Sequence, residues 1–89
     1  MKFSYDQENI YLMNNDYTIA RSNFTIKDNI LSINHIIVEE QYRGKGIAKQ
    51  LMLEVIKYSE NNNLLINPIC EYAKMFFKHN SKYNHLLID

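Results

Sequence analysis

The chain has 89 residues, 46% of them hydrophobic and 22% charged, and its ten basic and ten acidic side chains cancel. A net charge of zero argues against a nucleic-acid binder, which gathers a basic excess on one face, and a single cysteine excludes an internal disulfide. With no apolar leader and nothing near 18 consecutive apolar residues, the composition predicts one soluble, cytoplasmic domain over 1–89, without membrane segments.

The first third reads as strands. In "NIYLMN", Ile10 and Leu12 alternate with Tyr11 and Met13, and Asn14-Asn15-Asp16 follows with turn chemistry. "YTIARSNFTI" alternates again and ends at a second turn, Lys27-Asp28-Asn29; "ILSINHIIV" is the next strand, apolar enough at its end to predict burial on both faces. Short connections favour an antiparallel meander. After Gly46 the period changes to that of a helix: Ile47, Leu51, Val55 and Tyr58 form a stripe widened by Ala48, Met52 and Ile56. Asn61 to Asn63 supply a left-handed cap. "LLINPIC" then reads as a strand parallel to its neighbour, reached through the helical crossover. Pro68 within it cannot donate to a ladder, so one side of this strand is predicted to be unpaired there. "EYAKMFFKHN" is a short helix, and "YNHLLI" reads as a last strand or as packed coil. The fold class is therefore α/β (α+β). It comprises a mainly antiparallel sheet of four or five strands, one crossover helix and one shorter helix.

Both glycines of the chain lie in "QYRGKGIAKQL", directly before the first helix. The first N–H groups of a helix lack internal partners, and its dipole adds about half a positive charge there. Gly44 and Gly46 leave the backbone bare, and Arg43, Lys45 and Lys49 add charge, so a pyrophosphate is the natural occupant. The segment lacks the GxxxxGK[ST] phosphate loop and the third glycine of GxGxxG. It does match Q/R-x-x-G-x-G/A at Gln41-Tyr42-Arg43-Gly44-Lys45-Gly46, continued by Ile47-Ala48.

After the strand end "IIVEE", this pattern resembles the acetyl-CoA motif of the GCN5-related N-acetyltransferases. From Leu31 onward, "NHIIVEEQYRGKGIAKQL" and "PICEYAKMFFKHNSKYNHLL" are similar to a small subgroup of that family, the YjdJ-like or NATD1-like proteins. His35 and Pro68-Ile69-Cys70-Glu71-Tyr72 match the subgroup's His and Pro-x-Cys-x-Tyr. The resemblance implies that the strand ending at Val38 splays from its parallel neighbour. Backbone groups of Ile36, Ile37 and Val38 would hold the pantetheine arm of acetyl-CoA, and those from Arg43 to Ala48 its pyrophosphate. It further implies acetyl transfer to an amine, small molecule or protein, through a direct ternary complex. The rival reading is a CoA-binding module with little transferase activity, and a third is a small structural domain in which the motif is coincidental.

The catalytic candidates are Cys70 and His35. Cys70 is open to three roles: acetyl acceptor, acid, or lining of the pantetheine channel. His35 alternates with Leu31, Ile33 and Ile37, which predicts an apolar face and a core histidine unless a bulge re-aims it. Glu39 and Glu40 at the strand end read as solvated carboxylates or a proton relay. Larger family members commonly carry a tyrosine acid on the helix after the fourth or fifth strand, a place that falls near Phe77 here, with Tyr72 close by. Lys74, Lys78 and Lys82 read as a solvated face, and Cys70, His35, His79 and His85 show no metal-ligand spacing.

Overall fold

The computed structural model describes residues 1–89. Two tight loops set the early register. Asn15-Asp16 links β2 (Asn9–Asn14) to β3 (Tyr17–Lys27), and Asp28-Asn29 links β3 to β4 (Ile30–Val38). Three of the four loop residues, Asn15, Asp28 and Asn29, hold positive φ, 54°, 54° and 63°, a conformation that Asn and Asp tolerate through local hydrogen bonding. Positive φ at both Asp28 and Asn29 matches the hairpin turn whose twist suits the strands it joins. The chain continues through a 3₁₀ turn (Glu40–Tyr42), α1 (Ile47–Asn61), β5 (Leu65–Pro68), α2 (Glu71–His79) and a second 3₁₀ segment (Ser81–Leu86). With β1 (Lys2–Tyr5) added, the five strands lie in sequence order, antiparallel except for the parallel pair β4–β5.

β1 is unassigned in the sequence reading because four residues with one inward apolar side chain, Phe3, carry almost no period. Tertiary contacts hold it. The Tyr5 hydroxyl donates to the Glu54 carboxylate on α1, and the Tyr5 ring stacks on Tyr58 with centroids 6.1 Å apart. That hydrogen bond, and secondarily burial, push the Tyr5 phenol up to about 12.

One face of the sheet is covered. Ile10, Leu12, Phe24, Leu31, Ile33 and Ile66 join Leu51, Met52 and Val55 of α1 and Phe76 and Phe77 of α2 in a single cluster of 18 buried residues. The other face carries Asn9, Arg21, Asn23 and Asn34, linked by side-chain hydrogen bonds of 3.1 to 3.4 Å. The burial of the β4 end on both faces, expected from its apolar run, is therefore not found: Ile37 is 45% exposed, because nothing packs on the open face there. α1 ends as expected, with Asn63 left-handed at φ 55°. The tail is neither of two simple alternatives. It forms the 3₁₀ segment and then one parallel bridge, with the Ile88 N–H donating to the Ile66 carbonyl at 3.1 Å. No helix is long and apolar enough to cross a membrane.

Two polar side chains sit in this core without partners, the Ser22 and Ser59 hydroxyls, both in fully buried residues. An unsatisfied buried hydroxyl costs about 1–3 kcal/mol, whereas the isosteric apolar replacement costs nothing comparable. Ser22→Ala and Ser59→Ala should each raise the thermal midpoint, by about 4–8 °C for each kcal/mol recovered in a domain of this size. A lower midpoint in differential scanning calorimetry for either variant contradicts this.

Candidate functional site

The site begins with one extra residue in β4. Asn23 pairs with His35 but the next residue, Phe24, pairs with Ile33, so Asn34 is unmatched and forms a β-bulge. The bulge resets the alternation. Leu31 and Ile33 face the core, as expected, but beyond Asn34 the inward positions are Ile36 and Val38. His35 and Ile37 turn to the open face, so the core histidine that simple alternation predicts is instead an exposed one.

At the same level the sheet splits. The β4–β5 ladder ends at Ile33 opposite Pro68, and the Ile69 and Cys70 N–H groups both converge on the Ile33 carbonyl at 3.1 Å. β4 runs on to Val38 with only β3 beside it. The Glu39 N–H donates to the Ile19 carbonyl of β3 at 2.9 Å. The two-residue period then aims the peptide groups of Ile36 and Val38 at the vacated edge and those of Ile37 at β3. Pro68, which has no N–H to offer, stands at the branch point.

The loop that follows presents bare backbone. Gly44 and Gly46 are both left-handed, at φ 76° and 77°, and a Cβ on either would meet nothing within 4 Å. Their glycine character is thus demanded by backbone conformation, with open space where a ligand can approach. The first α1 bond runs from the Gln50 N–H to the Gly46 carbonyl at 3.1 Å. Every backbone N–H from Gly44 to Lys49 is left without a partner in the chain. Arg43 ties this loop to the strand: its Nε donates to the Val38 carbonyl at 3.1 Å.

Two adjoining clefts follow this backbone. One, of about 250 Å³, lies over the loop and is lined by Arg43, Gly44, Gly46, Ile47 and Ala48 together with Tyr42, Lys49 and Tyr72. The other, of about 380 Å³, continues along the free strand edge between Ile36, Ile37 and Val38 on one side and Ala48 and Tyr72 on the other. Of the residues the motif nominates, Gln41 and Lys45 line neither cleft; Gln41 instead donates from Nε2 to the Tyr17 hydroxyl at 3.4 Å.

Cys70 is the N-cap of α2, its Sγ accepting from the Ala73 N–H at 3.4 Å, and it lines neither cleft. Phe77 is buried in the core. Tyr72, five residues earlier on the helix, is the aromatic side chain that both clefts share, and burial raises its phenol, which stays protonated through neutral pH. Sequence reasoning set Tyr72 only close to the acid's position, because helix position alone does not say which face lines the clefts. No group of acidic, His and Cys side chains is arranged to hold a metal.

Comparison with known proteins agrees with this fold. The solution structure of a GCN5-like protein from Staphylococcus aureus superposes with a TM-score of 0.79 at 21% identity, covering 98% of this chain and 87% of that one. The ribosomal-protein-S18-alanine N-acetyltransferase from Escherichia coli gives 0.69 at 15% identity, covering 86% of this chain and 53% of its own. The PaiA N-acetyltransferase from Thermoplasma acidophilum, solved with coenzyme A, gives 0.63 at 18% identity, with 83% and 48% covered. This chain thus spans about half the length of the latter two. Curated proteins give no match. A model of the GCN5-related N-acetyl-transferase family matches residues 8–86. With most of its length matched, the chain belongs to the GCN5-related N-acetyltransferase family.

Proposed function

We propose that the protein binds acetyl-CoA and transfers its acetyl group to an amine by direct attack in a ternary complex. The observation that carries this reading is the continuity of two kinds of unpaired backbone: the free edge at Ile36 and the Val38 N–H, and the N–H groups from Gly44 to Lys49. An extended amide arm suits the first and a pyrophosphate the second. When bound, the donor supplies the activated thioester. The likeness to Pro68-Ile69-Cys70-Glu71-Tyr72 and His35 supports assignment to the YjdJ-like or NATD1-like subgroup.

The chain's own groups divide the remaining work. Peptide N–H groups at Ile36 and Val38 hold the arm and polarise the acetyl carbonyl. The Tyr72 phenol donates a proton to the departing sulfur. His35, turned outward by the bulge, receives a proton from the amine on the open face. Cys70 holds the α2 start, and direct transfer requires no thiol from the protein.

Calorimetric titration with acetyl-CoA tests the binding step, and thiol release over an amine panel tests transfer. Tyr72→Phe should lower turnover about 10²-fold, at the low end for a general acid because a thiolate leaves readily. Acetyl-CoA binding should be unchanged. Cys70→Ser keeps a good capping oxygen and should keep turnover; loss of turnover there with the fold retained would restore an acetyl-cysteine route. Binding of acetyl-CoA without release on any amine would favour the binding-module reading.

A further inference from the structure

A third cleft, of about 330 Å³, lies on the far side of the free strand end and shares Ile37, Val38 and Arg43 with the cleft beside Tyr72. It reaches the open sheet face, where Arg21 stands directly opposite Ile37 in the β3–β4 register. Four charged side chains line it: Glu39 and Glu40 at the strand end, and Arg21 and Arg43. None of the four pairs with another, since the only ion pairs in the chain are Lys74–Glu71 and His85–Glu60. Arg21 donates one N–H to the Asn9 side chain at 3.1 Å, and Arg43 one to Val38; the remaining guanidinium donors are uncommitted. Glu39 accepts only from the Tyr17 hydroxyl at 3.1 Å, and Glu40 makes no side-chain hydrogen bond.

Two carboxylates and two guanidinium groups within one cleft, and yet unpaired, present separate partners for opposite charges on one small molecule. A simple alkylamine would satisfy the carboxylates and leave Arg21 idle, and a carboxylic acid without an amine would do the reverse. The volume is near the lower end of the range of about 300–1,000 Å³ for small-molecule sites. We infer that this cleft receives the acetyl acceptor and that the acceptor is a small zwitterion, an amino acid whose ammonium group meets Glu39 and Glu40 and whose carboxylate meets Arg21.

The inference rests on the acetyltransferase reading above. In the step it implies, the acceptor nitrogen forms a C–N bond to the acetyl carbon and the thioester C–S bond breaks. Of the ammonium's three protons, one stays on the amide nitrogen, one leaves to solvent before attack, and one passes through water to His35 on the same open face, while Tyr72 gives its own proton to the sulfur and regains one from solvent. Arg21 binds rather than reacts. A guanidinium–carboxylate pair is planar and bidentate, so removing either partner leaves the other unmatched.

The test uses full-length protein first saturated with CoA and then titrated with glycine, 5-aminovalerate, glycinamide and n-propylamine, followed by amide chemical shifts. The two amino acids should bind at least about tenfold tighter than glycinamide and n-propylamine, as expected for a hydrogen-bonded charge, with shifts centred on Arg21, Ile37 and Glu39. Thiol release from acetyl-CoA should follow the same order. Arg21→Gln should abolish the preference, and Arg21→Lys should recover part of it, which separates recognition from misfolding. Equal binding of the acid and its amide, a preference that survives Arg21→Gln, or no binding by any of the four overturns the inference. Failure of acetyl-CoA or CoA to bind at all would overturn the acetyltransferase reading itself.

Discussion

Gly46→Glu will weaken acetyl-CoA binding about 10³-fold in calorimetric titration while the far-ultraviolet circular dichroism stays native. The substitution brings two terms, one on affinity and one on stability. The new carboxylate sits where a pyrophosphate approaches, and two like charges about 4 Å apart near a protein surface repel by about 4 kcal/mol. The left-handed backbone at φ 77° adds about 1–2 kcal/mol of strain to any residue with a Cβ. The strain falls on stability, and a domain with roughly 5–15 kcal/mol in hand survives it. A Cβ there meets no other atom within 4 Å, so the substitution brings no clash. Gly46→Ala supplies the comparison: it carries the strain without the charge, and should lose stability while retaining most of its affinity. Equal affinity losses for the two variants would mean that loop conformation, not anion binding, is what Gly46 provides.

Deleting Asn34 should abolish detectable transfer and leave a folded protein. The register explains why the fold tolerates it. With Asn34 gone, Ile33 still faces the core, His35 the open face, Ile36 the core, Ile37 the open face and Val38 the core, because the bulge is the one residue out of step. What disappears is the bend at the point where β4 parts from β5. A straightened strand misplaces the edge proposed to hold the arm. Losing two or three backbone hydrogen bonds of about 1 kcal/mol each weakens affinity about 10²-fold. A thioester displaced by about 1 Å loses a further 10²-fold in turnover. The readouts are calorimetry for binding, thiol release for transfer, and the amide spectrum for the fold. Native turnover in the deletion variant would show that the bulge does not shape the site.

Much of this architecture is legible in the residues themselves. The meander follows from the alternation in β2 and β3 and from Asn and Asp at the loops, where positive φ has a local chemical cause. α1 follows from its stripe, and the phosphate-type loop from two glycines placed against a helix start. Each of these rests on interactions within a few residues, and such interactions are written in sequence spacing. Pro68 likewise marked the place where the ladder stops, because a missing donor is a property of the residue.

What escaped the sequence depended on partners far along the chain. β1 exists because β2 and α1 hold it, and no period within four residues could announce that. The direction of His35 turned on a bulge opposite Asn23, a matter of inter-strand register that alternation within β4 misreads. Tyr72 rather than Phe77 faces the clefts because the packing of α2 chose which side to bury. The meeting of Arg21 with Glu39 and Glu40 required the β3–β4 pairing to bring residues 18 and 19 positions apart to one cleft. The sequence by itself determined most of the elements and the bare glycine loop before α1, since local geometry and hydrogen-bonding capacity dictate both. Only the tertiary structure decided which side chains line the clefts, because register and helix packing, not residue type, set the direction of a side chain.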